Sequence, residues 1–109
     1  MAIKANLVID QGTDFEATID LVDNNDVAYD LTNYTVAAQM RKNYASSTAY
    51  NFGAYHNNGS GQISLTMSNS VTVDLDPGRY LYDVEITSPG GKITRVVEGI
   101  VTITAGITR

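Results

Sequence analysis

The chain has no cysteine and no tryptophan, one histidine and two prolines in 109 residues. Without cysteine there is no disulfide, no thiolate metal site and no thiol nucleophile, and the fold does not depend on an oxidising compartment. A single histidine, His56, cannot supply a multi-histidine metal centre. Positive charge is also scarce: seven Lys and Arg against twelve Asp and Glu give a net charge of −5. The basic residues are scattered from Lys4 to Arg109. No basic stripe forms, so no nucleic-acid partner is expected. No run approaches the ~20 apolar residues of a membrane helix. The opening MAIKANLVIDQG lacks the apolar stretch of a secretion signal, so no membrane partner is expected. The length suits a single domain over 1–109 with one hydrophobic core.

What is present is β pattern almost throughout. LVID at 7–10 precedes a turn cluster, QGTD. FEATIDLV at 15–22 alternates Phe15, Ala17, Ile19 and Leu21 against Glu16, Thr18 and Asp20, the period-two signal of a half-buried strand. VAYDL at 27–31 and YTVAAQMRK at 34–42 are the next strand candidates, and QISLTMS at 62–68 alternates again. RYLYDVEIT at 79–87 puts Tyr80, Tyr82, Val84 and Ile86 on one face. SPGG at 88–91 is a turn, followed by a last strand over 92–104. Alternation in that strand slips at Val96–Val97, and Gly99 nearby is where a bulge would be tolerated. Residues 68–75 could form a helical turn capped by Ser68 or Ser70, but no segment carries the stripe of a substantial helix. The expected fold class is all-β: a sandwich of about seven antiparallel strands with no substantial helix.

The stretch LDPGRYLYDV at 75–84 makes the architecture more specific. In immunoglobulin-like sandwiches a tyrosine near the start of a late strand bonds its hydroxyl back to the preceding turn, in a local pattern D-x-G-x-Y-x-C. Asp76, Gly78 and Tyr80 fit that pattern, and Tyr82 stands where the cysteine would be. Pro77 fixes φ, Gly78 frees it, and Tyr80 buries a ring whose hydroxyl needs a partner. Asp76, Pro77, Gly78, Tyr80 and Tyr82 are therefore expected to form a structural corner of an immunoglobulin-like sandwich rather than a ligand site.

Chemistry is hard to find. Seven of the twelve acids lie between Asp10 and Asp30. Asp20 and Asp30 flank DNND, whose ends are Asp23 and Asp26, but the D-x-[DN]-x-[DN]-G calcium loop is absent, so solvated turn and strand-face residues are expected there. No carboxylate pair is singled out for acid–base work, and no G-x-S-x-G motif is present. Asp83, Glu85, Arg95 and Glu98 read as a solvated face with a cross-strand ion pair. Neither an enzymatic activity nor a cofactor or metal is expected. From Asn43 to Val73 no residue carries a full charge, and Tyr44, Tyr50, Phe52 and Tyr55 stand among Asn, Ser, Thr and Gly. Interface cores are poor in charge and rich in aromatics. Tyr44, Tyr50, Phe52, Tyr55, His56, Asn57 and Asn58 are thus the candidate interface, with His56 expected on an exposed loop.

Four strings together resemble a family. YTVAAQMRKNYASSTAY, GQISLTMS, LDPGRYLYDVEIT and KITRVVEGIVTITAGITR are similar to small immunoglobulin-like virion proteins of tailed phages, such as baseplate upper-protein N-terminal domains. The likeness runs from about Leu7 to Arg109 and is best at Gln39–Arg41, at Gly78–Asp83, and at Arg95 with Glu98–Gly99. Asn33 stands where the pattern usually has Gly before Tyr34. The resemblance implies a non-enzymatic structural role in a phage particle, made in the host cytoplasm. Its partners would be other virion proteins and further copies of itself. A tail, baseplate or neck position is the expectation, with a capsid decoration protein or a carbohydrate-binding module for host attachment as alternatives. For the carbohydrate reading, Tyr44, Tyr50, Tyr55, Asn57 and Asn58 would be the binding residues.

Overall fold

The computed structural model describes residues 3–22, 27–43, 48–57 and 61–106. Along them run β1 (Ile3–Lys4), β2 (Leu7–Asp10), β3 (Phe15–Asp20), β4 (Thr35–Arg41), β5 (Tyr50–Asn51), β6 (Gly53–Asn57) and β7 (Gln62–Met67). A helical turn α1 (Asn69–Thr72) follows, then β8 (Gly78–Thr87) and β9 (Ile93–Thr104). The larger sheet has the order β1-β9-β8-β4-β5, with β2 also paired to β9; the smaller has the order β3-β7-β6. This is an immunoglobulin-like β-sandwich, as the turn spacing and corner pattern predict.

Strand alternation places the core. Met40 on β4, Ile63 and Leu65 on β7, Val84 and Ile86 on β8, and Val97, Val101 and Ile103 on β9 are buried between the sheets. Each such side chain contributes about 1.5–3 kcal/mol on burial. The slip expected in β9 is present. Val84 pairs with Val97 but Glu85 pairs with Arg95, so Val96 is the extra residue and both Val96 and Val97 turn inward. Gly99 is not the bulge. A Cβ there would run into the Ala5 carbonyl oxygen, so glycine is needed to let the first strand approach β9.

Four expectations need correction. The sandwich is not wholly antiparallel: β1 and β2 pair with β9 in parallel. Both are short edge segments arriving from the opposite end of the chain, which period-two counting cannot orient. Residues 27–31 form no strand; Ala28 makes only an isolated bridge with Val22. Residues 43–60 read as a turn or long loop with room for one short strand at YNFGAY, but 50–57 carry two strand segments. Tyr50–Asn51 pair with β4, Gly53–Asn57 pair with β7, and Phe52 between them donates its N–H to the Ala38 carbonyl. One extended segment thereby passes from the larger sheet to the smaller. Finally, the helical turn is not capped by the Ser68 side chain. Asp14 caps it from a distance, accepting from the Asn69 backbone N–H at 2.7 Å and from its side-chain amide at 2.9 Å.

Asn33, standing where glycine was expected, has φ of 64°. Asparagine is among the few side chains that tolerate this left-handed conformation, so the turn before β4 keeps its shape without glycine.

Candidate functional site

The corner residues come together as a structural unit. Gly78 has φ of 139°, and the Tyr80 hydroxyl donates to the Asp76 carbonyl at 3.1 Å. Tyr50 meets the Tyr80 ring edge-on at 6.2 Å, and the Lys42 ammonium lies 4.7 Å from its centroid. Burial, aided by Tyr50 and Asp76, pushes the Tyr80 phenol above its usual range. Tyr82 is buried further along the same face. Its hydroxyl donates to the Ala5 carbonyl, and its ring packs against Phe52 at 6.1 Å. Burial pushes its phenol up to about 12. Tyr82 thus ties β8 to the start of the chain by a hydrogen bond within the larger sheet.

The candidate interface divides. Phe52 is 6 % exposed and belongs to the core, so it is unavailable to a partner. The misreading arose because an aromatic in an uncharged polar run looks the same whether it anchors a partner or a sheet crossover. Tyr50 is half-buried against Tyr80. Tyr55 is 64 % exposed on β6. His56 is not a loop residue: it pairs with Ile63, is half-buried, and its Nδ1 is buried with no hydrogen-bond partner among the described residues. Asn57 closes β6 opposite Gln62. Tyr44 and Asn58 lie outside the described residues, as do Asp23 and Asp26 of the acidic belt. The Asp30 carboxylate accepts from the Thr32 hydroxyl and backbone N–H, and these bonds hold it below its usual range. Among the described residues no group of three or more His, Asp or Glu side chains is placed to hold a metal ion.

A concavity lies elsewhere, on the outward face of the larger sheet. It measures about 490 Å³, and Leu81, Ile100, Gln39, Asp83, Glu85 and Glu98 are among its lining residues. Sheet register explains the layout. Arg41, Leu81 and Ile100 form one row across β4, β8 and β9; Gln39, Asp83, Glu98 and Lys4 form the next, across β4, β8, β9 and β1. Arg95 bridges the charges, 3.2 Å from Asp83 and 3.4 Å from Glu98. Gln39 donates to Asn51 at 2.8 Å. The Asn6 side chain accepts from the Ile100 N–H at 3.1 Å. Asp83, Arg95 and Glu98 are therefore matched to one another beside two apolar side chains. Asp83, Glu85, Arg95 and Glu98, expected as a solvated face with a cross-strand ion pair, lie on this face, and Arg95 pairs across the strands with Asp83. The signal available was that Leu81 and Ile100 are apolar residues at outward positions of otherwise regular strands.

No protein-family model and no curated protein sequence matches the chain. Solved structures do resemble it. An internalin-like protein of Listeria monocytogenes is similar over 94 % of this chain and 28 % of its own, at 19 % identity and a TM-score of 0.52. The GspB Siglec domain is similar over 93 % and 54 %, at 16 % identity and a TM-score of 0.57. The SrpA adhesin from Streptococcus sanguinis is similar over 91 % and 54 %, at 9 % identity and a TM-score of 0.53. The chain thus spans from about a quarter to about half of these proteins. At such identities the likeness is one of fold.

Proposed function

We propose that this chain is a non-enzymatic structural module of a tailed-phage particle, acting through protein–protein contacts, with a tail, baseplate or neck position preferred over capsid decoration. The resemblance of its four strings to small virion proteins supports the particle. One observation carries the mode of action. On the outward face of the larger sheet Asp83, Arg95 and Glu98 are paired with one another beside Leu81 and Ile100. Internally matched charge beside apolar side chains suits a protein surface. Mass spectrometry of purified particles tests the reading: this chain is expected among the virion proteins, and its absence overturns the proposal. Copy number then separates the locations, with hundreds of copies meaning head and tens or fewer meaning tail.

A carbohydrate-binding role for host attachment has one observation in its favour. Tyr55 stands exposed on the smaller sheet, opposite Ser64 and near Thr66. Glycan-array binding that disappears with Tyr55→Ala would support it, and a flat array would remove it.

A further inference from the structure

The outward ladder of β8 is asymmetric: Arg79, Leu81, Asp83 and Glu85 follow in order from one end of the face to the other. Asp83 is taken by Arg95. Among the described residues neither Arg79 nor Glu85 has an ion-pair partner. Among the described residues the face therefore carries a cation without an ion pair at one end and an anion without one at the other, with the Leu81–Ile100 row and the Arg95-paired Asp83–Glu98 row between them. Six residue steps along the strand separate them, about 20 Å at ~3.3 Å per residue.

We propose that this face docks on a second copy of itself. A two-fold axis crossing β8 between Leu81 and Asp83 runs the facing strands antiparallel. Arg79 of each copy then approaches Glu85 of the other, and between these two ion pairs the Leu81–Ile100 row of each copy lies over the Asp83–Glu98 row of the other. Two-fold contacts are self-complementary by necessity, and a surface with opposite charges at its two ends meets that condition. A parallel arrangement sets Arg79 against Arg79 and Glu85 against Glu85, so the charges also fix the orientation. The inference rests on the reading of the chain as a protein-contact module and names its partner.

Sedimentation velocity of the full chain between about 1 μM and about 1 mM, a range that covers weak pairs, tests it. Reversible dimer formation is expected, weakening as salt screens the two pairs. Arg79→Glu and Glu85→Arg are each expected to weaken association at least about tenfold, which is about 1.4 kcal/mol. The double variant Arg79→Glu/Glu85→Arg restores it to near the original strength. Thermal melts check that each variant is folded; should one fail, the salt dependence of the unaltered chain decides alone. A chain that stays monomeric overturns self-docking. So does association that ignores both reversals, or that ignores salt. A monomeric chain still found in purified particles would sink this inference and leave the virion reading standing.

Discussion

The two faces of the larger sheet are made by the same strands and do different work. On β8 the inward set is Tyr80, Tyr82, Val84 and Ile86, all buried; the outward set is Arg79, Leu81, Asp83 and Glu85. The inward set holds the sandwich together by ring packing and by hydroxyl bonds to the Asp76 and Ala5 carbonyls. The outward set leaves charge and apolar surface in reach of another molecule. One residue of register therefore separates a stability position from a position on the proposed docking face. Substitutions on the inward side should move stability and leave association alone, and those on the outward side should do the reverse.

The largest expected effect is inside. Phe52→Ala removes the ring that packs on Phe15 and Tyr82 and should cost about 3–5 kcal/mol in urea unfolding. Its neighbour along the same uncharged span, Tyr55→Ala, should stay within about 0.5 kcal/mol of the parent. Equal losses would contradict the division of that span into core and surface. Gly99→Ala comes next. Its added Cβ must displace the Ala5 backbone, at a cost of about 1–3 kcal/mol, and hydrogen exchange should show β1 loosened from β9. Tyr80→Phe deletes only the corner hydroxyl bond and should cost about 1 kcal/mol, leaving self-association unchanged.

A pH titration separates the second tyrosine from the first. Burial raises the Tyr82 phenol to about 12, above the unfolded value of 10. The folded chain keeps its proton while the unfolded chain loses it. The stability this group contributes is therefore complete below pH 10 and drains away as pH rises toward 12. Tyr82→Phe should flatten that decline. An unchanged decline would mean that other groups cause it.

The sequence was most legible where strands are regular. Alternation in FEATID, QISLTM and GRYLYDVEIT located β3, β7 and β8 with their buried faces, and the Val96–Val97 slip located the bulge. The corner was readable because Pro77, Gly78 and Tyr80 each have few conformational uses. The crossover at Phe52 was not, because a strand that changes sheets has no period of its own. His56 was hidden for the same reason: Asn and Gly around it suggest a loop, whereas pairing with β7 turns it inward. The outward concavity was least visible, since polar residues at alternate positions read alike whether water or a partner covers them. Only the registers of β1, β4, β8 and β9 bring Lys4, Gln39, Asp83 and Glu98 into one row.

The most direct measurement is side-chain NMR of the full chain recorded at increasing concentration. The methyl signals of Leu81 and Ile100 should move together along one saturating curve. The ring signals of Tyr55, on the opposite sheet, should stay where they are. Shifts at Tyr55 with Leu81 and Ile100 unmoved would place the contact on the other face and contradict the account.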